Sequence, residues 1–289
     1  MRNTNMKQQY KMGITFITMS AFFFALMNLF IRLSGDVPSL QKVFFRNLFA
    51  MLIAVGTLLK SHVPLKVGKG NLKYLLIRST AGALGMVCNF YAIDRMNISD
   101  ASMLNKLSPF FAIIFSIFVL GEKTKLHEWF AVLVAFGGAL FVVKPTFSFD
   151  IIPALAGVLG GLGAGLAYTY VRKLGMRGEN SMIVVAFFSS FTTLLLLPNL
   201  IFNYTPMKAS QWLFLCLTGI AAAGGQICIT KAYAYAPAKE ISVYDFSIVI
   251  FTAILGMLFL SQKPDLLSVI GYVIIIGAAL GKWYVSVKK

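Results

Sequence analysis

Charge is scarce in this chain, and acid is the scarcest part of it. Charged residues make up 12% of the sequence, about half the share usual in a soluble domain. Asp and Glu together number 10 against 26 Lys and Arg. So few solvating groups exclude a soluble globular domain and leave no room for a catalytic domain outside lipid. Histidine occurs twice, at His62 and His127, both in predicted loops. A Ser-His relay or a helical HExxH zinc site at membrane depth is thereby excluded. The three cysteines, Cys88, Cys216 and Cys228, all fall in apolar segments. An odd, buried set supplies neither a disulfide framework nor a metal set, so they read as small packing residues. A single deep carboxylate, Asp245, cannot form an aspartyl dyad, and a phosphate-binding P-loop is missing. The sequence therefore predicts no enzyme, no metal, no cofactor and no use of ATP.

What is present is apolar: 58% of residues are hydrophobic and the mean hydropathy is +0.79. Apolar segments lie at about 13–33, 38–60, 72–94, 99–120 and 127–143, then at about 151–172, 181–202, 210–235, 240–260 and 265–285. Each is near the roughly 20 residues that cross about 30 Å of hydrocarbon. The first follows Lys7 and Lys11 but carries no small-residue cleavage site, so it reads as an uncleaved helix. Ten membrane helices are predicted. The net charge of +16 is spread between these segments rather than gathered for nucleic acid. Sixteen of the Lys and Arg residues fall on the side shared by both termini and five on the other. Cytoplasmic loops retain positive charge, which places both termini in the cytoplasm and the chain in the cytoplasmic membrane.

A shift of 140 residues aligns the third to fifth segments with the eighth to tenth without a gap. Ala81, Ala83, Gly85, Cys88 and Ala92 fall on Ala221, Ala223, Gly225, Cys228 and Ala232; Ser102, Phe111, Leu120 and Gly137 fall on Ser242, Phe251, Leu260 and Gly277. Each copy has an odd number of crossings, so the second enters the membrane from the opposite side. The expected architecture is all-α, two inverted five-helix repeats dividing at 1–145 and 146–289. Such repeats belong to secondary transporters, with a substrate site near the midplane between the halves.

The stretches FFR (44–46), LIRSTAGALG (76–85), NFYAI (89–93) and the run from Leu107 to Pro145 resemble the first half of a ten-helix carrier. The proline in the fourth helix, the LGE at its end and the glycine pair after Trp129 carry the likeness most closely. The chain is similar throughout to the drug/metabolite transporter superfamily, EamA type. In the second half Gln262 stands where the first has Glu122. The resemblance implies carriage of a small organic solute, drawn from amino acids, nucleotide-linked metabolites, amines and drugs.

Glycine spacing suggests close helix packing. Gly157, Gly161 and Gly165 recur every four residues, as do Gly277 and Gly281, the pattern of GxxxG faces in lipid. These faces serve either static packing within a monomer, a sliding face, or a homodimer.

Ionisable groups at bilayer depth are costly unless they face protein, water or a partner. Lys231 and Asp245 flank Ala238 symmetrically in a predicted hairpin, so a salt bridge near the cytoplasmic end is expected. The alternatives are an inner gate, or Asp245 as a carboxylate coupling transport to protons. Arg78 and Lys42 lie near membrane surfaces and are expected to snorkel outward. Arg46 and Lys106 lie deeper, about 12 Å from the outer ends of their helices at 1.5 Å per residue, with no acid expected at that depth; the alternative is an ordinary ion pair with Asp36, Asp94 or Asp100, which lie nearer the outer surface. Pro109, lacking an amide hydrogen, frees the carbonyl of Asn105 at a kink beside Lys106. Arg46, Lys106 and Asn105 are therefore the candidate polar site, with Phe90, Tyr91, Tyr168 and Tyr244 as candidate apolar contacts; Lys231, Asp245, Arg78 and Pro109 are candidates for gating or coupling.

Guanidinium offers a bidentate grip on carboxylate or phosphate, and lysine a point charge. The substrate expected is thus anionic or zwitterionic: an amino acid, an organic acid or a nucleotide-like metabolite. A proton or an exchanged solute would drive its movement. The competing readings are an exporter of lipophilic cations, for which Asp245 is the one deep acid, and a membrane receptor or scaffold.

Overall fold

Long apolar runs have to satisfy their own backbone hydrogen bonds in lipid, and helix dominates the result. The computed structural model describes residues 2–61, 66–121, 126–143, 151–235 and 242–287, and among them there is no strand. The first half comprises α1 (Arg2–Leu33), α2 (Ser39–Lys60), α3 (Leu72–Arg95), α4 (Ile98–Asn105), α5 (Ser108–Leu120) and α6 (Leu126–Val143). The second comprises α7 (Ile152–Met176), α8 (Ser181–Phe202), α9 (Ala209–Tyr235), a 3-10 turn (Ser242–Phe246), α10 (Ser247–Leu260) and α11 (Leu266–Val287). Eight apolar helices are long enough to cross a membrane, with α4 and α5 together forming one of them. Two more, Trp129–Val142 and Tyr244–Leu260, are apolar but shorter. The protein is a multi-pass membrane protein.

Helix partners reveal the relation between the halves. Helix α3 packs on α7 as α9 packs on α1, and α5 packs on α7 as α10 packs on α1. The pairs α2 with α8 and α6 with α11 join equivalent helices, and α4 with α10 joins segments of the two equivalent broken spans. A two-fold relation between inverted repeats produces this pattern, because each helix either meets its own counterpart or has its contact copied.

Glycine sets the closest of these approaches. A Cβ built on Gly163 would stand 2.7 Å from the Gly85 Cα and 2.8 Å from the Ala81 carbonyl oxygen, so α3 and α7 touch backbone to backbone. One on Gly161 would stand 2.8 Å from the Leu104 oxygen and 3.3 Å from that of Asn105, bringing α7 against the end of α4. The α7 glycines are therefore spent inside the fold. Gly277 and Gly281, which have the same spacing, have nothing among the described residues within 4 Å of a built Cβ.

The fourth membrane span is broken rather than kinked. Helix α4 ends at Asn105, the Leu107 amide bonds the Leu104 carbonyl at 3.1 Å in a tightened turn, and α5 starts at Ser108 with Pro109 in its first turn. There the missing N–H of proline costs nothing, since first-turn amides have no helical acceptor. The 140-residue shift places this break on the 3-10 turn Ser242–Phe246, so both halves interrupt the same helix. It also places Asn105 on Asp245.

Candidate functional site

The two breaks meet at the centre of the bundle. Lys106, capping α4, donates to the Asp245 carboxylate of the 3-10 turn, and both side chains are mostly buried. This corrects two expectations. Asp245 pairs with Lys106 and not with Lys231, and Lys106 does have an acid at its own depth. Equal contour distance from Ala238, which lies outside the described residues, does not set the pairing; packing of α4 against the opposite half does. Lys231 is exposed, its ammonium 5.5 Å from the centre of the Phe16 ring.

Around the pair lies a cavity of about 590 Å³. Arg46 from α2, Arg78 from α3 and Tyr168 from α7 line it together with Asn105, Lys106 and Asp245. Arg46 is buried and its Nη1 donates to Asn47 Oδ1 at 3.0 Å, while its Nε has no partner among the described residues. Arg78 does not snorkel. Its guanidinium stacks 3.8 Å from the centre of the Phe188 ring, with Nε and Nη1 unpartnered. The cavity gives this cation an aromatic face. Neither arginine has a carboxylate partner among the described residues.

Of the candidate aromatic contacts, Phe90 and Tyr168 line the cavity. Tyr91 and Tyr244 do not. Tyr91 lies under the Arg95 guanidinium, 3.8 Å from the ring centre, and Tyr244 packs beside Ile17 and Ala232. Helical phase decides this: Phe90 and Tyr91 are neighbours about 100° apart, so one helix face cannot hold both. Pro109 is absent from the lining, and Lys231 lines a separate side cavity of about 290 Å³ that also touches Arg46 and Arg78.

The sequence reading missed Asn28, Asn89, Phe188 and Gln226, which all line the central cavity. The amides were detectable as polar groups inside apolar runs, the criterion applied to charges alone. Phe188 carried no such signal.

At one end the cavity reaches Gly175 and Glu179 at the turn between α7 and α8. Glu179 is already engaged there, accepting from Asn71 Nδ2 at 2.7 Å and from the Gly68 amide at 3.0 Å. The opposite end is crossed by polar contacts between the halves. Gln41 and Thr205 exchange two hydrogen bonds, Gln262 Oε1 accepts from the Ile98 amide at 3.0 Å, and the Tyr272 hydroxyl donates to Asp100. Lys42 is at this end too, and it is fully buried instead of snorkelling. Its ammonium meets Asp94 at 2.5 Å and the carbonyls of Gly35 and Ile31 at 2.8 and 3.1 Å. Three acceptors replace water, which makes burial tolerable. Thus Asp94 serves Lys42 and Asp100 serves Tyr272, and neither reaches Arg46 or Lys106. No group of three or more His, Cys, Asp or Glu residues placed to hold a metal occurs among the described residues.

The profile of the EamA-like transporter family matches residues 11–144 and again 151–282. The chain belongs to the EamA-like transporter family. Among its relatives, this EamA-family protein is 32% identical to the pseudopaline exporter CntI of Pseudomonas aeruginosa, over 93% of this chain and 95% of the relative. It is 28% identical to human solute carrier family 35 member G1, over 96% of this chain and 81% of that protein. A solved crystal structure shares the fold at 15% identity with a TM-score of 0.68, covering 96% of this chain and 97% of the other. Transporters of this family take a small-molecule solute across a lipid bilayer, and the doubled family match parallels the doubled broken helix.

Proposed function

We propose that this EamA-family protein is a secondary transporter that moves a small organic solute bearing at least one anionic group across the cytoplasmic membrane by alternating access. The observation that carries the proposal is the Arg46 and Arg78 pair: two buried guanidinium groups in one cavity, with unpartnered N–H donors and no carboxylate partner among the described residues. Leaving such donors unmatched is costly, and an anion is the ligand that matches them. A lipophilic cation would meet like charge at both.

The division at 145 and 146 supplies the two moving bodies. With the termini cytoplasmic, as the Lys and Arg distribution favours, the end reached at Glu179 is the inner one and the stitched end at Lys42 and Gln262 the outer one. This conformation is then inward-facing. Export is the direction assigned, on the strength of the exporter among the relatives.

Purified protein screened for thermal stabilisation by amino acids, organic acids, nucleotides and amines provides the ligand for a flux assay in liposomes. The expected result is a stabilising ligand with an anionic group, and a loss of at least about tenfold in flux for Arg46→Ala and for Lys106→Ala, about 1.4 kcal/mol of lost interaction. Stabilisation by amines alone, or unchanged flux in both variants, overturns the assignment.

A further inference from the structure

Residues that line the central cavity carry buried polar atoms of both kinds that have no hydrogen-bond partner among the described residues. Three are donors: Nε of Arg46 and both Nε and Nη1 of Arg78. Three are acceptors: Oδ1 of Asp245, of Asn28 and of Asn89. All five residues line the same cavity. An unmatched buried polar atom bears the full cost of its desolvation, so a complementary occupant has to answer both sets.

A plain mono- or dicarboxylate has acceptors only. It satisfies the guanidinium groups but sets its own oxygens against those of Asp245, Asn28 and Asn89. An amine has donors only, and it meets Arg46 and Arg78 with like charge. The Lys106–Asp245 pair narrows the chemistry further. A positive and a negative group in contact present the mirror of an α-amino acid head, whose carboxylate and ammonium are also adjacent. Such a head replaces one ion pair with two and gives Asp245 Oδ1 a charged donor.

Resting on the anion reading above, we propose that the substrate is an amino diacid, a zwitterion with one ammonium and two acid groups. The ammonium binds Asp245, the neighbouring carboxylate binds Lys106, and the second acid is held between Arg46 and Arg78. The spacer between the two acids runs along Met86 and Phe90, which also line the cavity. The volume of about 590 Å³ is that of an organic-ligand pocket, typically about 300–1,000 Å³. No bond is made or broken in this recognition.

Four probes of matched length test it on the full chain in detergent, by calorimetric binding at up to millimolar concentration: α-aminoadipate, adipate, norleucine and hexanediamine. The first is adipate with an added amine, and equally norleucine with an added acid. The expected result is α-aminoadipate binding at least about tenfold tighter than each of the others. Asp245→Asn should abolish its advantage over adipate, and Arg46→Gln its advantage over norleucine. The wild-type ranking decides even if a variant fails to fold. Adipate equal to α-aminoadipate removes the ammonium subsite, and norleucine equal to it removes the second acid subsite; either overturns the amino diacid while leaving an anionic substrate standing. Failure of all four to bind also overturns the amino diacid. Hexanediamine binding tightest overturns both readings.

Discussion

Lys106 and Asp245, 139 residues apart in sequence, form an ion pair that ties the break in one half to the equivalent break in the other. Each residue ends or interrupts a helix where backbone direction changes, so their contact sits on the relation between the repeats. An ion pair at such a junction both positions the two halves and presents its charges to the cavity.

Exchanging the charges separates those roles. The double variant Lys106→Asp/Asp245→Lys keeps an ion pair but moves the ammonium to the other half. Its melting temperature in detergent should stay close to that of the wild type, whereas Lys106→Asp alone, with two facing carboxylates, should fall well below it. Coupling between contacting residues of this kind is about 0.5–3 kcal/mol. Flux by the double variant should drop at least about tenfold. Wild-type flux in it would show that the pair serves structure alone.

The second buried pair should behave as a purely structural one. Lys42→Met leaves Asp94 without its ammonium, where the carboxylate side chain is only 13% exposed. A loss of about 3–5 kcal/mol is expected for breaking such a pair. Lys42→Met/Asp94→Asn should recover part of that loss, because the stranded charge is gone. Denaturant titration of the three proteins measures this, and a harmless Lys42→Met would mean that water reaches Asp94.

Two glycines with the same sequence signature should respond differently. Gly163→Ala drives a methyl group into the backbone of α3 at Gly85 and Ala81, with an expected cost of about 1–3 kcal/mol. Gly277→Ala meets open space and should stay within about 0.5 kcal/mol of wild type. Thermal melts of the two variants side by side provide the comparison.

Helices α5 and α10 both end on a left-handed residue, Gly121 at φ 69° and Ser261 at φ 53°. These positions are equivalent under the 140-residue shift. A non-glycine residue in that region carries about 1–2 kcal/mol of strain. Ser261→Gly should therefore raise the melting temperature by a few degrees, after the added freedom of glycine in the unfolded chain is subtracted. A lowered value would assign the serine side chain a stabilising contact.

Periodicity and composition made the transmembrane architecture legible before any coordinates, because a bilayer forces each span to close its own hydrogen bonds. The repeat was legible too, through register conserved over three helices and two loops. Proline and lysine in an apolar run marked the fourth span as irregular. Depth marks Arg46 and Lys106, the proline marks Asn105, and these share one cavity with Phe90 and Tyr168.

The pairing of charges was not legible. Depth along a helix is a one-dimensional coordinate, whereas an ion pair needs rotation and neighbour as well. Lys231 and Asp245 agreed in depth yet point to different surroundings, and Arg78 and Lys42 turned inward for an aromatic ring and for a carboxylate on another helix. Tyr91 and Tyr244 were lost from the cavity for the same reason.

By itself the sequence determined which segments enter lipid, how many there are and that they recur, since hydropathy and local hydrogen bonding act along the chain. Tertiary structure alone decided which buried cations keep an acid and which do not. That outcome follows from side chains brought together between helices, Lys42 with Asp94 inside one half and Arg78 with Phe188 across the two, and it distinguishes the structural lysine at position 42 from the cavity-lining arginines at 46 and 78.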